Sequence, residues 1–460
     1  MTAMRFDKGS QTIALAKSNN IGKDIKSDLD MLYREPGIYL ISNSNTDDYL
    51  FPIYTRTLQI PKDYYYLNTS HVVSVNNLTK LSRDAQIKTH ISFTRDSYTD
   101  EDISQQTLTL PDSTKIGIDE SDRMAMENRK LAAELTYTKN ARTDYFEDAF
   151  SLGANWDEGI SSIRNSDTSL VQDYRLPKIE LENKITAIFR KGKEITNFKS
   201  DIVFRHRDQS LTVDDGQSQL LKLDEMLNEN YLSRTFALHG GWTYVLSPGI
   251  DLNYQKLYSL YDMSGASNDI SLFTLSPYVE NSFSLKAGGL EMSSGISAAL
   301  RTDILGEKKK TYFLLKPQMY IKYSFMPSWD VMLYAYYGNR VGDIRSMADN
   351  MIMHSYRTYV TYDDVDAGND ADISLSLHYS NIVTLFTMAA NAGYSTNRSS
   401  LVPSDTYDGI YLVTQYLSRP HSSGSAYCGL EASRYFSAIK LGLSAEARYD
   451  NTTGEQYFQD

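Results

Sequence analysis

Apolar and polar side chains alternate along much of this chain. In residues 313–325 most odd positions carry Phe, Leu, Met, Ile or Tyr, and most even positions carry Lys, Gln, Tyr or Ser. The same period of two runs through residues 130–138, 235–247 and 372–379. Successive residues of a β-strand point to opposite faces of a sheet. The pattern therefore predicts an all-β chain whose strands each have one apolar and one polar face.

The connections between the predicted strands alternate in length. Short turns at one end and long loops at the other are typical of a transmembrane β-barrel. Tight turns are predicted at residues 82–84, 140–142, 191–193, 248–249, 288–289, 326–328, 380–381 and 436–437. Long polar loops are predicted at residues 97–124, 157–175, 208–230, 261–270, 303–310, 339–353, 363–371 and 396–422.

The turns predict the fold class, a large antiparallel up-and-down transmembrane β-barrel with about 16–18 strands in this chain. No interdomain linker is visible, so we interpret residues 70–460 as one barrel, incomplete at its C-terminus. Residues 1–69 are expected to hold an irregular N-terminal part and the first barrel strands. Short amphipathic helices are predicted at 19–34 and 216–230. A propeller is disfavoured because each blade needs four short strands.

Charged residues such as Lys178, Glu180 and Asp251 lie on the polar faces in mid-strand. Periodicity alone does not separate a soluble barrel from a membrane barrel. With about sixteen strands, however, the interior is too wide for side chains to fill. We therefore expect the polar faces to line a wet lumen and the apolar faces to meet lipid. The 35 Tyr among 460 residues fit aromatic girdles at the membrane surfaces, although Tyr is also favoured in any strand.

Composition excludes several classes of protein. The mean hydropathy is -0.43 and no apolar run approaches the ~18 residues of a membrane helix, so a helical membrane protein is excluded. The net charge of -12 argues against a nucleic-acid partner. Cys428 stands alone and cannot form an internal disulfide. Phosphate-binding loops, nucleophile elbows and zinc-binding His pairs are absent from the sequence, so neither an enzymatic activity nor a cofactor is expected.

The acidic segment from Asp363 to Asp372 is the one candidate metal site. Carboxylates at alternate positions around Gly368 could supply oxygen ligands to Ca²⁺. The spacing differs from an EF-hand loop, because the sixth position counted from Asp364 is Asn369 rather than Gly. A solvated acidic loop is the alternative.

Several short strings resemble a known family. Phe6 to Gln11, Asn19 to Asp24, Tyr66 to His71 and Asn76 to Leu81 are similar to the early barrel of TonB-dependent-receptor-like outer-membrane proteins of Bacteroidetes type. The resemblance implies a fragment that lacks the signal peptide, the plug and the C-terminal strands of a barrel of about 22 strands. It also implies a location in the outer membrane of a Gram-negative bacterium.

The same resemblance implies partners and a function. The partners would be the lipid bilayer, lipopolysaccharide, a TonB-type energising complex acting through a plug not present in this chain, and optionally a surface lipoprotein. The function would be import of an unidentified nutrient. The alternative is a non-transporting scaffold, adhesin or assembly barrel that binds a partner through its long loops; a soluble β protein is a third hypothesis. Ligand contacts are predicted at Trp156, Tyr174, Tyr261, Arg340 and Tyr407.

Overall fold

The computed structural model describes residues 1–20, 49–53, 67–109, 115–165, 168–192, 194–262, 265–342, 344–347, 351–408, 410–455 and 457–459. Within these residues, 21 strands form a single sheet. Two short 3-10 helices are also present there, at His239–Gly241 and Ile344–Met347. None of the helices found in this part of the chain has the length and apolar character needed to cross a membrane.

The strands follow the chain in order, and their bounds are as follows: β1 Thr2–Phe6, β2 Ser10–Asn19, β3 Leu67–Lys80, β4 Ala85–Thr109, β5 Lys115–Asn140, β6 Asp144–Asn165, β7 Thr168–Lys191, β8 Glu194–Val213, β9 Ser218–Ala237, β10 Trp242–Tyr261, β11 Ala266–Ala287, β12 Leu290–Leu305, β13 Lys308–Met326, β14 Trp329–Val341, β15 Ile352–Ser355, β16 Thr358–Tyr362, β17 Ala367–Asn381, β18 Phe386–Asp408, β19 Tyr411–Phe436, β20 Leu441–Thr453 and β21 Tyr457–Gln459.

The sheet is an up-and-down antiparallel meander. Each strand from β1 to β14 pairs with the next, β14 then pairs with β17, and the meander continues to β20. In the described part of the chain this makes eighteen meander strands. The hairpin β15–β16 and the short β21 stand outside the meander, with β16 parallel to β19 and β21 parallel to β18. The predicted fold class and the predicted number of strands are confirmed.

Most of the predicted long loops are extensions of the strands. β4 has 25 residues, and its ladder with β5 continues to the pair Thr109–Lys115. A membrane crossing takes only ~9–11 strand residues, so the hairpins project well beyond the bilayer. The loop predictions for 97–124, 157–175, 208–230 and 396–422 are therefore wrong in kind. The outer face of such an extension meets water, while several of its inward residues are buried, such as Leu211 and Leu221. The segment is therefore polar on average without being irregular.

The helix predicted at residues 216–230 is also corrected. Residues 216–230 form most of β9 instead of a helix, and Leu221 and Leu223 point inward together, as a period of two requires. The predicted helix at 19–34 lies outside the described residues beyond its first two positions.

The turn predicted at residues 248–249 lies inside β10. The chain reverses instead at His239–Gly241, where Gly240 and Gly241 adopt φ values of 73° and 82°. Positive φ values of this kind cost little only for Gly. The ladder between β9 and β10 skips Pro248, which has no N–H to donate. Pro248 therefore marks a local break in the β9–β10 ladder, and β10 continues through residues 248–249 without a turn.

The outer face of the meander is apolar and exposed. Ile91 and Phe93 on β4 and Ile373 and Leu375 on β17 point outward, and Leu375 is 50% exposed. Between them the inward residues are small or polar, such as the buried Ser92. An outward apolar band with a polar interior is the arrangement of a barrel in lipid.

Aromatic rings lie in contact near the short turns. Trp329 is 4.7 Å from Tyr379 and 6.1 Å from Phe325, measured between ring centroids. Tyr244 stacks on Phe283 at 4.7 Å. This belt lies where an aromatic girdle was predicted at one membrane surface.

The lumen is filled with apolar side chains near the long-hairpin end. Two connections turn inward there: the β14–β17 connection and the described part of the β2–β3 connection, residues 49–53. The expectation of a polar lumen holds below this level but is wrong at the mouth. A wide barrel can be closed by its own loops as well as left open to water.

Candidate functional site

The closed mouth of the barrel is the candidate site. Its central element, which we call the inward loop, comprises residues 344–347 and 351–362 of the β14–β17 connection. The loop contains the 3-10 helix Ile344–Met347 and the hairpin β15–β16. Ile344 and Met353 are fully buried, and Ile352 and Tyr356 are nearly so. These apolar side chains explain why the loop folds into the lumen, since burying each stabilises by about 1.5–3 kcal/mol.

The barrel wall at this height presents a matching apolar surface. Inward residues of β8 to β11 form it, namely Leu211, Val213, Leu221, Leu223, Leu257 and Leu272. Residues 49–53 add Leu50 and Phe51, and the Phe51 ring stacks on Tyr174 with 6.3 Å between centroids. The inward loop, residues 49–53 and the wall therefore share one apolar core.

Four buried glutamines hold the inward segments to the wall. We call Gln172, Gln209, Gln217 and Gln219 the glutamine row. Gln172 lies on β7, Gln209 on β8, Gln219 on β9, and Gln217 in the turn before β9. All four point into the mouth and carry amide groups that both donate and accept hydrogen bonds.

The contacts of the row are mostly with backbone. Met353 N donates to Gln219 Oε1 at 2.6 Å, and Gln219 Nε2 donates to the Met353 carbonyl at 2.9 Å. Tyr356 N donates to Gln172 Oε1 at 2.7 Å. Each of these buried backbone groups would be costly to leave without a partner. The row therefore fixes the position of the inward loop by hydrogen bonds to its backbone.

The other two glutamines also hold inward segments. Leu50 N donates to Gln209 Oε1 at 2.6 Å, and the Tyr359 hydroxyl donates to Gln217 Oε1. Thus a second inward segment, distant in sequence from the loop, is held in the same way.

A carboxylate fixes the tip of the hairpin. Glu120 on β5 accepts the Tyr356 hydroxyl at 2.8 Å and Arg357 Nε at 3.2 Å. Both ionic side chains are largely buried, so the pair is less screened than a surface ion pair. On the same hairpin, burial and the nearby Arg345 lower the pKa of His354 to about 4. The imidazole of His354 is therefore neutral at pH 7.

The acidic segment anchors the base of the loop. Asp366 accepts the Ser399 hydroxyl at 2.6 Å and the Ser400 N–H at 3.1 Å, and it lies 3.4 Å from Arg340. Asp363 accepts hydrogen bonds from Gln415 and from the Ser418 N–H. Asp370 and Asp372 lie in β17. In the described residues no three His, Cys, Asp or Glu side chains are grouped as metal ligands would be.

Below the apolar core the lumen is polar. The Glu225 carboxylate on β9 accepts a hydrogen bond from Arg205 at 3.2 Å and another from Gln255 at 2.8 Å. It also accepts one from Arg207. Arg205 Nε also lies 2.7 Å from Glu180. Charged residues predicted to line the lumen therefore do so at this level, where they form a network of ion pairs.

The five predicted contact residues all lie in strands. Tyr174 and Tyr261 belong to the apolar core, and the Tyr261 ring meets Tyr359 edge-on at 6.3 Å. Tyr174 also borders a cavity of about 710 Å³ beside β3 to β7. Trp156 points outward and is 42% exposed, away from the mouth.

Arg340 and Tyr407 lie at the rim. Arg340 donates to Asn397 at 2.9 Å besides pairing with Asp366. Tyr407 lies on β18, where burial raises its pKa and the charge of Arg357 opposes that rise. The structure thus places four of the predicted residues in or beside the mouth.

No family model and no curated protein matches this chain. Its fold is similar to those of solved transporters. The FrpB iron transporter from Neisseria meningitidis matches with a TM-score of 0.53 and 10% identity, over 84% of this chain and 60% of that chain. The outer membrane transporter YddB from Escherichia coli matches with a TM-score of 0.50 and 10% identity, over 84% and 55%. The copper transporter OprC matches with a TM-score of 0.50 and 10% identity, over 85% and 61%.

At this identity the likeness is one of fold. The chain shares with these proteins the fold of a large antiparallel β-barrel, as the sequence predicts. It spans 55 to 61% of the length of these three proteins. They are transporters by name, which is compatible with the expectation that this chain is not an enzyme.

Proposed function

We propose that this chain is the barrel of an outer-membrane receptor that imports a nutrient through a mouth closed at rest. The observation that carries the proposal is the inward loop, which fills the lumen with an apolar core and hydrogen-bonds to the wall. An open diffusion pore has no use for such a closure. A receptor for one scarce solute needs such a closure, because its mouth must exclude other solutes until the right one binds.

The proposed setting follows from the outer face. The apolar band meets lipid, and the hairpin extensions beyond it meet lipopolysaccharide and, where one exists, a surface lipoprotein. A TonB-type complex would supply the energy through a plug carried elsewhere in the full protein. Tyr174, Tyr261, Arg340 and Tyr407 are the proposed ligand contacts at the mouth. Trp156 would instead contact a partner on the outside of the hairpins.

Depletion of nutrients from the medium tests the proposal. A strain lacking the gene is compared with the same strain carrying the wild-type gene, and the spent media are analysed by mass spectrometry. We expect the complemented strain to deplete at least one compound class that the deletion strain leaves, and an uncoupler to abolish that difference. Identical media from the two strains would refute import.

A control separates receptor from pore. The variant in which residues 344–362 are replaced by a Gly-Ser linker is reconstituted in liposomes with small sugars. We expect liposome swelling with this variant and little swelling with the wild-type chain. The scaffold alternative predicts the same closed mouth but no energy-dependent depletion, so the comparison of media decides between the two functions.

A further inference from the structure

The glutamine row forms one continuous patch of the inner wall. Gln172 stands opposite Val213 in the β7–β8 ladder, and the Val213 N–H donates to the backbone of Gln217. Gln219 stands opposite Leu211 one strand away. Neighbouring strands lie about 4.8 Å apart, so the row spans only about 10 Å across the wall. Val213, Leu211 and Leu221 lie beside the glutamines in this patch.

Three of the four glutamines bind backbone groups of the inward segments. The bonds to Leu50, Met353 and Tyr356 all involve main-chain groups, which every peptide carries. Gln219 both donates to and accepts from Met353, as a neighbouring strand would. Such contacts do not depend on which side chain the bound residue has.

Two segments unrelated in sequence occupy the row. Residues 49–53 read Tyr-Leu-Phe-Pro-Ile, and residues 352–356 read Ile-Met-His-Ser-Tyr. Both present an N–H to a glutamine oxygen and an apolar side chain to the core. What they share is backbone with apolar side chains. Their common mode of binding therefore defines the chemistry of a ligand that could replace either one.

Glu120 adds a charge preference at the edge of the row. It now binds Arg357 and the Tyr356 hydroxyl. If the inward loop withdrew, this carboxylate would lose both partners and would be open to a new cation or donor. The amino terminus or a basic residue of a peptide supplies one.

We propose that the glutamine row is a peptide-binding site, occupied at rest by segments of this chain and filled by an extended oligopeptide with apolar side chains when the inward loop withdraws. The proposal names the cargo class of the proposed receptor and so rests on the proposed function. The glutamine amides bind the peptide backbone, and the leucines and Tyr174 contact its side chains.

Peptide binding to a chain with a vacated row tests this. The full chain with residues 344–362 replaced by a Gly-Ser linker is refolded in detergent. The probe is a fluorescein-labelled peptide copying residues 351–359, Met-Ile-Met-His-Ser-Tyr-Arg-Thr-Tyr, and anisotropy measures its Kd. A second probe carries N-methyl groups on the amides that correspond to Met353 and Tyr356, and a third has the same residues in scrambled order.

We expect the copied and scrambled peptides to bind with similar Kd and the N-methylated peptide at least tenfold more weakly. Combining Gln172→Leu with Gln219→Leu should weaken binding of the copied peptide at least tenfold, whereas Gln318→Leu on β13 should not. Equal binding of the copied and N-methylated peptides would overturn the proposal, as would full affinity in the double variant. Circular dichroism confirms that each variant is folded.

The intact chain gives a second measurement. Excess copied peptide, made with citrulline in place of its arginine so that trypsin does not cleave it, should displace the inward loop and speed trypsin cleavage after Arg357 at least tenfold. The N-methylated peptide with the same replacement should not. No acceleration would count against the site. Absence of peptide binding with energy-dependent depletion intact rejects the peptide cargo and leaves import standing. Peptide binding without depletion keeps the site and rejects import.

Discussion

Removing one glutamine should loosen the closed mouth. In the variant Gln219→Leu the Met353 N–H and carbonyl lose their hydrogen-bond partners while remaining buried. Leu is close to Gln in size, so the change removes hydrogen bonds more than packing. The inward loop should therefore open more often without unfolding of the barrel.

The size of the effect follows from the two backbone groups. A buried polar group without a partner costs about 1–3 kcal/mol, so two would cost about 2–6 kcal/mol. The Gln219 side-chain amide must lose its hydration when the mouth closes, whereas a Leu side chain has no polar group to dehydrate. This difference offsets part of the cost. Taking the low end of about 2 kcal/mol, the open population should rise about 30-fold, since 1.4 kcal/mol is tenfold.

Trypsin cleavage after Arg357 reports the open population. The Arg357 side chain is only 17% exposed in the closed mouth, where it pairs with Glu120. When opening is fast relative to cleavage, the cleavage rate is proportional to the open fraction. We expect cleavage about 30-fold faster in Gln219→Leu than in the wild type, and unchanged in the control Gln318→Leu. Equal rates in Gln219→Leu and wild type would refute the role of the row in closing the mouth.

Three further predictions use the same refolded chain. Met353→Ala should destabilise the closed loop by about 2–5 kcal/mol through the cavity it leaves, seen as a lower urea midpoint for loop cleavage. His354 has its pKa lowered to about 4 in the closed loop, below the ordinary value of 6.5. Closure should be most stable above pH 6.5, weaken as pH falls towards 4 and then level off; His354→Phe should remove this dependence of cleavage rate on pH. Leu375→Arg on the outer face should destabilise the barrel in lipid by about 2–4 kcal/mol, whereas Ser376→Arg on the inner face should cost much less in the same unfolding titration.

The barrel wall was predictable because lipid and lumen impose opposite chemistry on alternate residues. Residues 313–325 show the period clearly, and β13 spans Lys308–Met326. The strand extensions were not predictable by the same signal. In residues 97–105 polar residues occupy odd and even positions alike, although the segment belongs to β4. Amphipathicity marks a strand only where its two faces meet different surroundings.

The closed mouth is visible in the sequence as a cluster of apolar residues in a predicted loop, which the alternation of apolar and polar residues does not detect. Residues 344–353 belong to a connection predicted to be long and polar, yet they contain Ile344, Met347, Met351, Ile352 and Met353. Apolar residues in a surface loop need a surface to cover, and here that surface is the inner wall. The glutamine row left no such signal. Its members come together only through the register of β7, β8 and β9, which sequence alone did not fix.

The energy of closure bears on how the mouth can open. Ile344, Ile352, Met353 and Tyr356 are almost completely buried in the core. At about 1.5–3 kcal/mol each, exposing all four to water would cost about 6–12 kcal/mol. Full thermal opening would then be about 10⁴ to 10⁸ times rarer than closure. A ligand that replaces both the apolar contacts and the bonds of the glutamine row removes most of this cost. The chemistry that keeps the mouth shut therefore selects what can open it.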